Sequence, residues 1–183
     1  MHSDEGAIIR SCIEGNSEIY AILVDRYKEM IYNIAYRMVG DLEAANDIAQ
    51  ESFISAYSAL KDFKGTAKFS SWLCSIALNK CRDHLKRLKP YVALDEIADT
   101  VPCSYGMNPE GELLRKQLAD RIQEALNALP DEYREAIILK HMEGLDYKEM
   151  EALLNVRADT LKVRTHRARD MMKKLLGQWC AHD

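Results

Sequence analysis

Apolar residues recur along most of this chain at helical spacing. Ile19, Ile22, Leu23, Tyr27, Met30, Ile31, Ile34 and Met38 fall three or four residues apart, which predicts an amphipathic helix of about 22 residues. Gly40 follows as a stop, and Asp41 is suited to cap the next helix. That helix places Ala45, Ile48, Ala49, Phe53, Ala56, Tyr57 and Leu60 on one stripe. The polar stretch from Lys61 to Ser70, with Gly65 inside it, reads as a loop. Ser70 or Ser71 is expected to cap a third helix carrying Trp72, Leu73, Ile76, Ala77, Cys81, Leu85 and Leu88. Most of these apolar residues are expected to do no more than pack helices together.

Pro90 ends this first unit. From Tyr91 to Gly111 sustained period is lost, and Asp95, Glu96, Asp99, Pro102, Gly106, Pro109 and Glu110 give the acidic, turn-rich chemistry of a linker. Period resumes with Leu113, Leu114, Leu118, Ile122, Leu126 and Leu129, and Pro130 stops it. Asp131 and Glu132 suit the first turn of another helix, through Tyr133, Ala136, Ile137 and Leu139 to Gly144. Beyond Gly144 lie a short amphipathic segment (residues 145–154), a tight turn at Asn155 and a long basic segment from Thr160 to Leu176, a helix-turn-helix pattern. Asn155 tolerates a left-handed backbone, and Asp159 can cap the second helix. No stretch alternates convincingly as a strand, and no internal repeat is found. The expected fold is all-α: a helical domain over residues 1–90, a flexible linker over 91–112, and a second helical domain over 113–183 that contains the helix-turn-helix.

Composition narrows the class. At 48% hydrophobic and 30% charged over 183 residues, with 8 Gly and 4 Pro, the chain can bury a core and is neither disordered nor fibrous. No apolar run approaches the ~18–20 residues of a bilayer span, and the acidic start Met1-His2-Ser3-Asp4-Glu5 does not resemble a secretory leader. The five cysteines (Cys12, Cys74, Cys81, Cys103, Cys180) are scattered, as expected of reduced thiols in a cytoplasmic protein. Cys74 and Cys81 could in principle sense redox state, but they read better as small apolar residues. His2, His84, His141, His166 and His182 are equally dispersed. With no metal-ligand spacing, phosphate loop or nucleophile motif, neither a cofactor nor an enzymatic activity is expected.

Charge distribution changes the picture more than net charge does. Residues 61–90 hold eight Lys/Arg against Asp62 and Asp83, a local +6, and residues 157–176 hold seven against Asp159 and Asp170, a local +5. Since the whole chain is −4, the remainder carries −15. Two cationic surfaces on an acidic body suit a polyanion, because local field governs such binding. In the basic helix Leu161, Ala168, Met171, Met172 and Leu175 can face inward. Lys162, Arg164, His166, Arg167, Arg169 and Lys173 then face out, supplying base-reaching side chains near the helix start with flanking cations. Between residues 61 and 89, Phe63, Lys64, Lys68, Phe69, Trp72, Asn79, Lys80, Arg82, Lys86 and Arg87 interleave rings and cations in the manner of single-strand binders. Phe63, Phe69 and Trp72 can alternatively be core residues, and Trp72, on the apolar stripe, is better read so. Asn79, beside that stripe, can read a base edge.

These blocks resemble a family. Tyr36-Arg37-Met38-Val39-Gly40-Asp41 followed by Ala45-Asn46-Asp47-Ile48-Ala49-Gln50-Glu51-Ser52-Phe53 is similar to the second conserved region of bacterial sigma factors. Phe69-Ser70-Ser71-Trp72-Leu73 with Ile76-Ala77 and Asn79 is similar to the promoter-melting region. Leu129-Pro130, Tyr147-Lys148-Glu149 and Thr160-Leu161-Lys162-Val163-Arg164 with His166-Arg167-Ala168-Arg169 are similar to the −35-reading domain. In order, spacing and length the chain resembles the extracytoplasmic-function (ECF) sigma factors, group 4 of the sigma-70 family.

The resemblance implies that Asp47, Gln50 and Glu51 dock on the coiled coil of the polymerase β′ subunit. It implies that the loop from Phe63 to Phe69 takes a flipped −10 base with help from Asn79, and that Lys80, Arg82, Lys86 and Arg87 hold nearby phosphates. The helix from Thr160 would enter the −35 groove, with Lys162, Val163, His166 and Arg167 at the bases and Arg164 and Arg169 toward the backbone. Leu139 could meet the β flap, core packing being the other reading. An anti-sigma protein is the implied regulatory partner, with no membrane insertion by this chain.

Five positions depart from the family pattern. Cys74-Ser75 replace an aromatic and a basic residue, Asp159 replaces a turn Gly, and Val163 stands where Ser is frequent. Glu151 replaces a small Ala, so its helix is expected to be rotated or shifted enough for the carboxylate to reach water. The competing reading is a polymerase-independent helix-turn-helix regulator, which leaves residues 47–53 and the melting-like loop without a purpose.

Overall fold

In the computed structural model, which describes residues 2–65, 67–88 and 111–179, helices account for almost all regular structure. The helix expected from the first apolar stripe is α2, Tyr20–Val39, and it buries Leu23, Ile31, Ile34, Ala35 and Met38. Gly40 ends it with φ 76°, its amide donating to the Tyr36 carbonyl at 2.8 Å; this is a left-handed cap that favours glycine. Asp41 then caps α3 (Leu42–Ser58), its carboxylate accepting from the Ala44 amide at 2.7 Å. α3 buries Ala45, Ile48, Ala49, Phe53 and Ala56, and buried Ser52 donates back to the Ile48 carbonyl. α4, Phe69–Leu88, completes the group by packing on α2 and α3. It begins at Phe69, so Ser70 and Ser71 lie in its first turn and do not cap it.

An additional helix, α1 (His2–Ile13), was not foreseen from the sequence. Its apolar content is sparse behind an acidic start. It is held by tertiary burial of Ile8, Ile9 and Cys12, and by the Tyr27 hydroxyl donating to Glu5.

The second group opens with α5, Gly111–Asn127, so two residues assigned to the linker are helical. The rest of the expected linker, with Lys89 and Pro90, lies outside the described residues. Pro130 starts α6 (Asp131–Ile137), with Asp131 and Glu132 in its first turn. A π-helical turn, Ile138–Met142, continues to Gly144, where φ is 68°. Leu139 is fully buried, which removes it as a surface for the polymerase flap. α7 (Tyr147–Leu154) is capped by Asp146, which accepts from the Lys148 and Glu149 amides at 2.8 Å while Glu149 accepts from the Asp146 amide at 3.0 Å. Asn155 takes the left-handed turn at φ 53°, ψ 40°. α8 spans Ala158–Trp179, which puts Asp159 inside its first turn rather than at its cap.

α5, α6 and α7 each pack on α8. The two groups are not separate in space. α5 and α6 lie against α2, α7 lies against α4, and one buried apolar cluster runs through both.

Candidate nucleic-acid interface

α8 sorts its residues by face. Leu161, Thr165 and Ala168 are buried against α6 and α7, with Met171 and Met172 half-buried below them. The opposite face presents Thr160, Lys162, Val163, His166, Arg167 and Arg169 to solvent, Val163 being 50% exposed. This is one exposed stripe with an apolar contact among hydrogen-bonding and cationic ones, the combination that suits a major groove. Two of its cations are positioned from α6. Arg164, half-buried, pairs with Glu132 at 2.5 Å, and Arg167 donates to the Tyr133 hydroxyl at 3.2 Å. Lys162 reaches back to Asp159 at 3.3 Å, and His166 Nδ1 lies 3.0 Å from Asp170. Glu132 and Tyr133 act more than 30 residues away from the helix they orient, which no local pattern reveals. Glu151 is exposed, as expected for a carboxylate on α7 whose buried contact is made by Met150.

The first basic region divides. Phe69 is 1% exposed and sits in an aromatic cluster with Tyr27, Phe63 and Trp72, at centroid separations of 5.1–5.7 Å. It therefore offers no ring face to a base and supports the loop from beneath, contrary to the sequence expectation. Trp72 is half-buried in the same cluster, in line with its core reading. Phe63 keeps a partly open edge, and Lys64, Lys68, Asn79, Lys86 and Arg87 are exposed. The Asn79 side-chain oxygen accepts from Arg82 at 2.6 Å, and Lys80 pairs with Glu51 at 3.1 Å. Cys74 and Cys81 face the interior of α4, and burial pushes both thiols up to about 12. At neutral pH they stay protonated and unreactive, as their apolar reading requires.

On α3 the side chains of Asp47, Gln50 and Glu51, with Asn46, stand exposed along one edge, while Ile48, Ala49 and Ser52 turn inward. That edge carries acids and amides exposed to solvent, with Glu51 paired to Lys80 at 3.1 Å.

Comparison with known proteins gives this arrangement a family. Residues 23–90 match the family model for sigma-70 region 2, and residues 119–172 match that for sigma-70 region 4. The chain is 38% identical over 176 residues to the ECF RNA polymerase sigma factor SigW of Bacillus subtilis, covering 92% of this chain and 94% of that one. It is 32% identical to the ECF RNA polymerase sigma-E factor of Escherichia coli, covering 86% of each. Among solved structures, CnrH in complex with the cytosolic domain of CnrY superposes with a TM-score of 0.71 at 26% identity, covering 94% of this chain and 96% of that one. The chain therefore belongs to the ECF RNA polymerase sigma factors of the sigma-70 family. It is a transcription-initiation factor that directs core polymerase to specific promoters.

Proposed function

We propose that the three exposed surfaces divide the work of initiation. The α3 edge of Asp47, Gln50 and Glu51 docks on the basic β′ coiled coil of core polymerase. The loop after α3 and the solvent side of α4 handle the −10 element. There Phe63 and Asn79 meet an unpaired base, and Lys64, Lys80, Arg82, Lys86 and Arg87 hold the strand phosphates. The α8 stripe reads the −35 duplex, Lys162, Val163, His166 and Arg167 at base edges and Thr160, Arg164 and Arg169 toward the backbone. The observation that carries this reading is the sorting of α8: its candidate base-reading side chains are exposed on one face while Leu161, Thr165 and Ala168 seat the opposite face on α6 and α7.

The chain works in the cytoplasm, where core polymerase is, and among its described residues no helix is long and apolar enough to cross a membrane. An anti-sigma protein is the proposed negative regulator. Support comes from the solved relative from Bartonella quintana, the sigma factor RpoE in complex with the anti-sigma factor NepR, which shares the fold at a TM-score of 0.67 and 22% identity.

Run-off transcription with core polymerase and a randomised promoter library tests the whole assignment. The expected result is transcription that depends on this chain, from templates enriched for one −35 and one −10 sequence at fixed spacing. Specific duplex binding without core polymerase, combined with failure to co-elute with core, would overturn it.

A further inference from the structure

The contacts between the two helix groups fall on two cations of the first basic region: Arg82, assigned above to the −10 strand, and Lys68, which interleaves with the aromatic residues of that region. Arg82 on α4 is ion-paired with Glu135 on α6, and Lys68, just before α4, pairs with Glu149 on α7 at 2.8 Å. Both carboxylates come from the second group and both bases from the first. A third tie joins α2 to the same partner. Arg134, 6% exposed, donates to the carbonyls of Asn127 and Leu129 in its own group and across the seam to the carbonyl of Met38. Gln123 donates to the Arg37 carbonyl and accepts from the Arg37 guanidinium, each at 3.3 Å. The terminal carbonyls of α2, which have no partner within their own helix, are thus capped by side chains some 90 residues away. Close approach is built in, because a Cβ at Gly40 would lie 2.5 Å from the Asn127 side chain.

We propose that the free chain has a closed, self-inhibited form in which Glu135 and Glu149 stand in for DNA phosphates on Arg82 and Lys68, with Arg134 latching the second group onto the end of α2. The proposal rests on the assignment of Arg82 to the −10 strand and extends that role to Lys68. A carboxylate and a phosphate oxygen are interchangeable acceptors for a guanidinium or an ammonium, so strand and carboxylate compete for the same donors. Closure is selective: Lys162, Val163, His166, Arg167 and Arg169 on α8, and Asp47, Gln50 and Glu51 on α3, remain exposed.

The latch is also poised to release. Burial holds the Glu135 carboxyl above its usual range despite Arg82, and Arg134 Nε is buried without a hydrogen-bond partner. A buried polar seam of this kind gives up much of its attraction to desolvation, so a partner that re-pairs the charges can open it. Docking of core polymerase on the exposed α3 edge, followed by phosphates taking Arg82 and Lys68, supplies such an exchange.

The test uses the full chain, the double variant E135Q/E149Q and the swap series R82E, E135R and R82E/E135R. Small-angle scattering reports compactness, and a short fluorescent single-stranded DNA of mixed sequence reports access to the α4 cations. Gln keeps the capping box at Glu149, and circular dichroism confirms that each variant is helical. E135Q/E149Q should be more expanded than wild type. If the closed form outweighs the open one by ten to one, that variant should bind the oligonucleotide about tenfold more tightly. R82E should expand the chain and R82E/E135R restore compactness. E149Q alone, at the exposed rim, should shift binding in the same direction by a smaller factor, which covers the case in which Glu135 variants do not fold.

Unchanged compactness and unchanged oligonucleotide affinity in E149Q and E135Q/E149Q would overturn the latch. So would a wild-type chain as extended as R82E. Failure of the functional assignment looks different: wild-type chain with saturating core would give no promoter-dependent transcript, whatever the compactness series shows.

Discussion

The family resemblance points both Phe69 and Arg167 toward DNA, and burial separates them. Phe69 closes the aromatic cluster under the loop, so Phe69→Ala should lower folding stability by about 3–5 kcal/mol, measured by denaturant unfolding. Loss of promoter melting at undiminished stability would return it to the interface. Arg167, exposed and steadied by the Tyr133 hydroxyl, should behave in the opposite way. Arg167→Ala should leave stability nearly unchanged, weaken −35 recognition by about 1–3 kcal/mol and relax base preference at one position of a promoter library. The thiols give a third check. With Cys74 and Cys81 buried and held protonated, a thiol-specific reagent at neutral pH should label them only on unfolding. Rapid labelling of either in the native chain would contradict the packing of α4.

At the scale of elements, most boundaries follow from local chemistry. Gly40 with Asp41, Pro130 with Asp131, and Asn155 each punctuate the chain where the sequence says they should, because caps and turns are settled by one or two side chains acting on adjacent backbone. α7 is a further case, and its capping box titrates. The Glu149 and Lys148 amides lower the Asp146 carboxyl below its ordinary range, and Lys68 with the Asp146 amide lowers Glu149. A carboxylate depressed in the fold stabilises it above the ordinary value, near 3.9 for Asp and 4.3 for Glu, and that contribution is lost as pH falls through the depressed value. Asp146→Asn keeps a capping side chain that does not titrate, so its melting temperature should fall less steeply with acid than that of wild type. Identical acid slopes would exclude the cap as a contributor. Other features were not legible locally. The helix α1 is made by burial against α2, the π-turn after Ile137 interrupts an otherwise regular period, and the starts of α4 and α8 lie ahead of the Ser and Asp residues expected to cap them.

For the whole molecule, the seam between the helix groups makes its own demand. Because closure occupies Arg82 and Lys68 with carboxylates but leaves the α8 stripe open, E135Q/E149Q should gain affinity for single-stranded DNA and none for a duplex carrying the −35 sequence. Fluorescence anisotropy with the two probes separates these. Equal gains on both would mean that the variants act through general charge rather than through the seam.

The sequence by itself determined the helical class, the helix-turn-helix and the two cationic surfaces, since periodicity, caps and charge runs are properties of neighbouring residues. It also exposed the family through three blocks in register. Tertiary structure alone decided which cations are free and which are answered, that Phe69 and Leu139 are core, and that Glu132, Tyr133, Arg134 and Glu135 hold residues far along the chain. Those outcomes depend on which helix faces meet. Facing is fixed by packing between segments some 30 to 100 residues apart, which no window of local pattern spans.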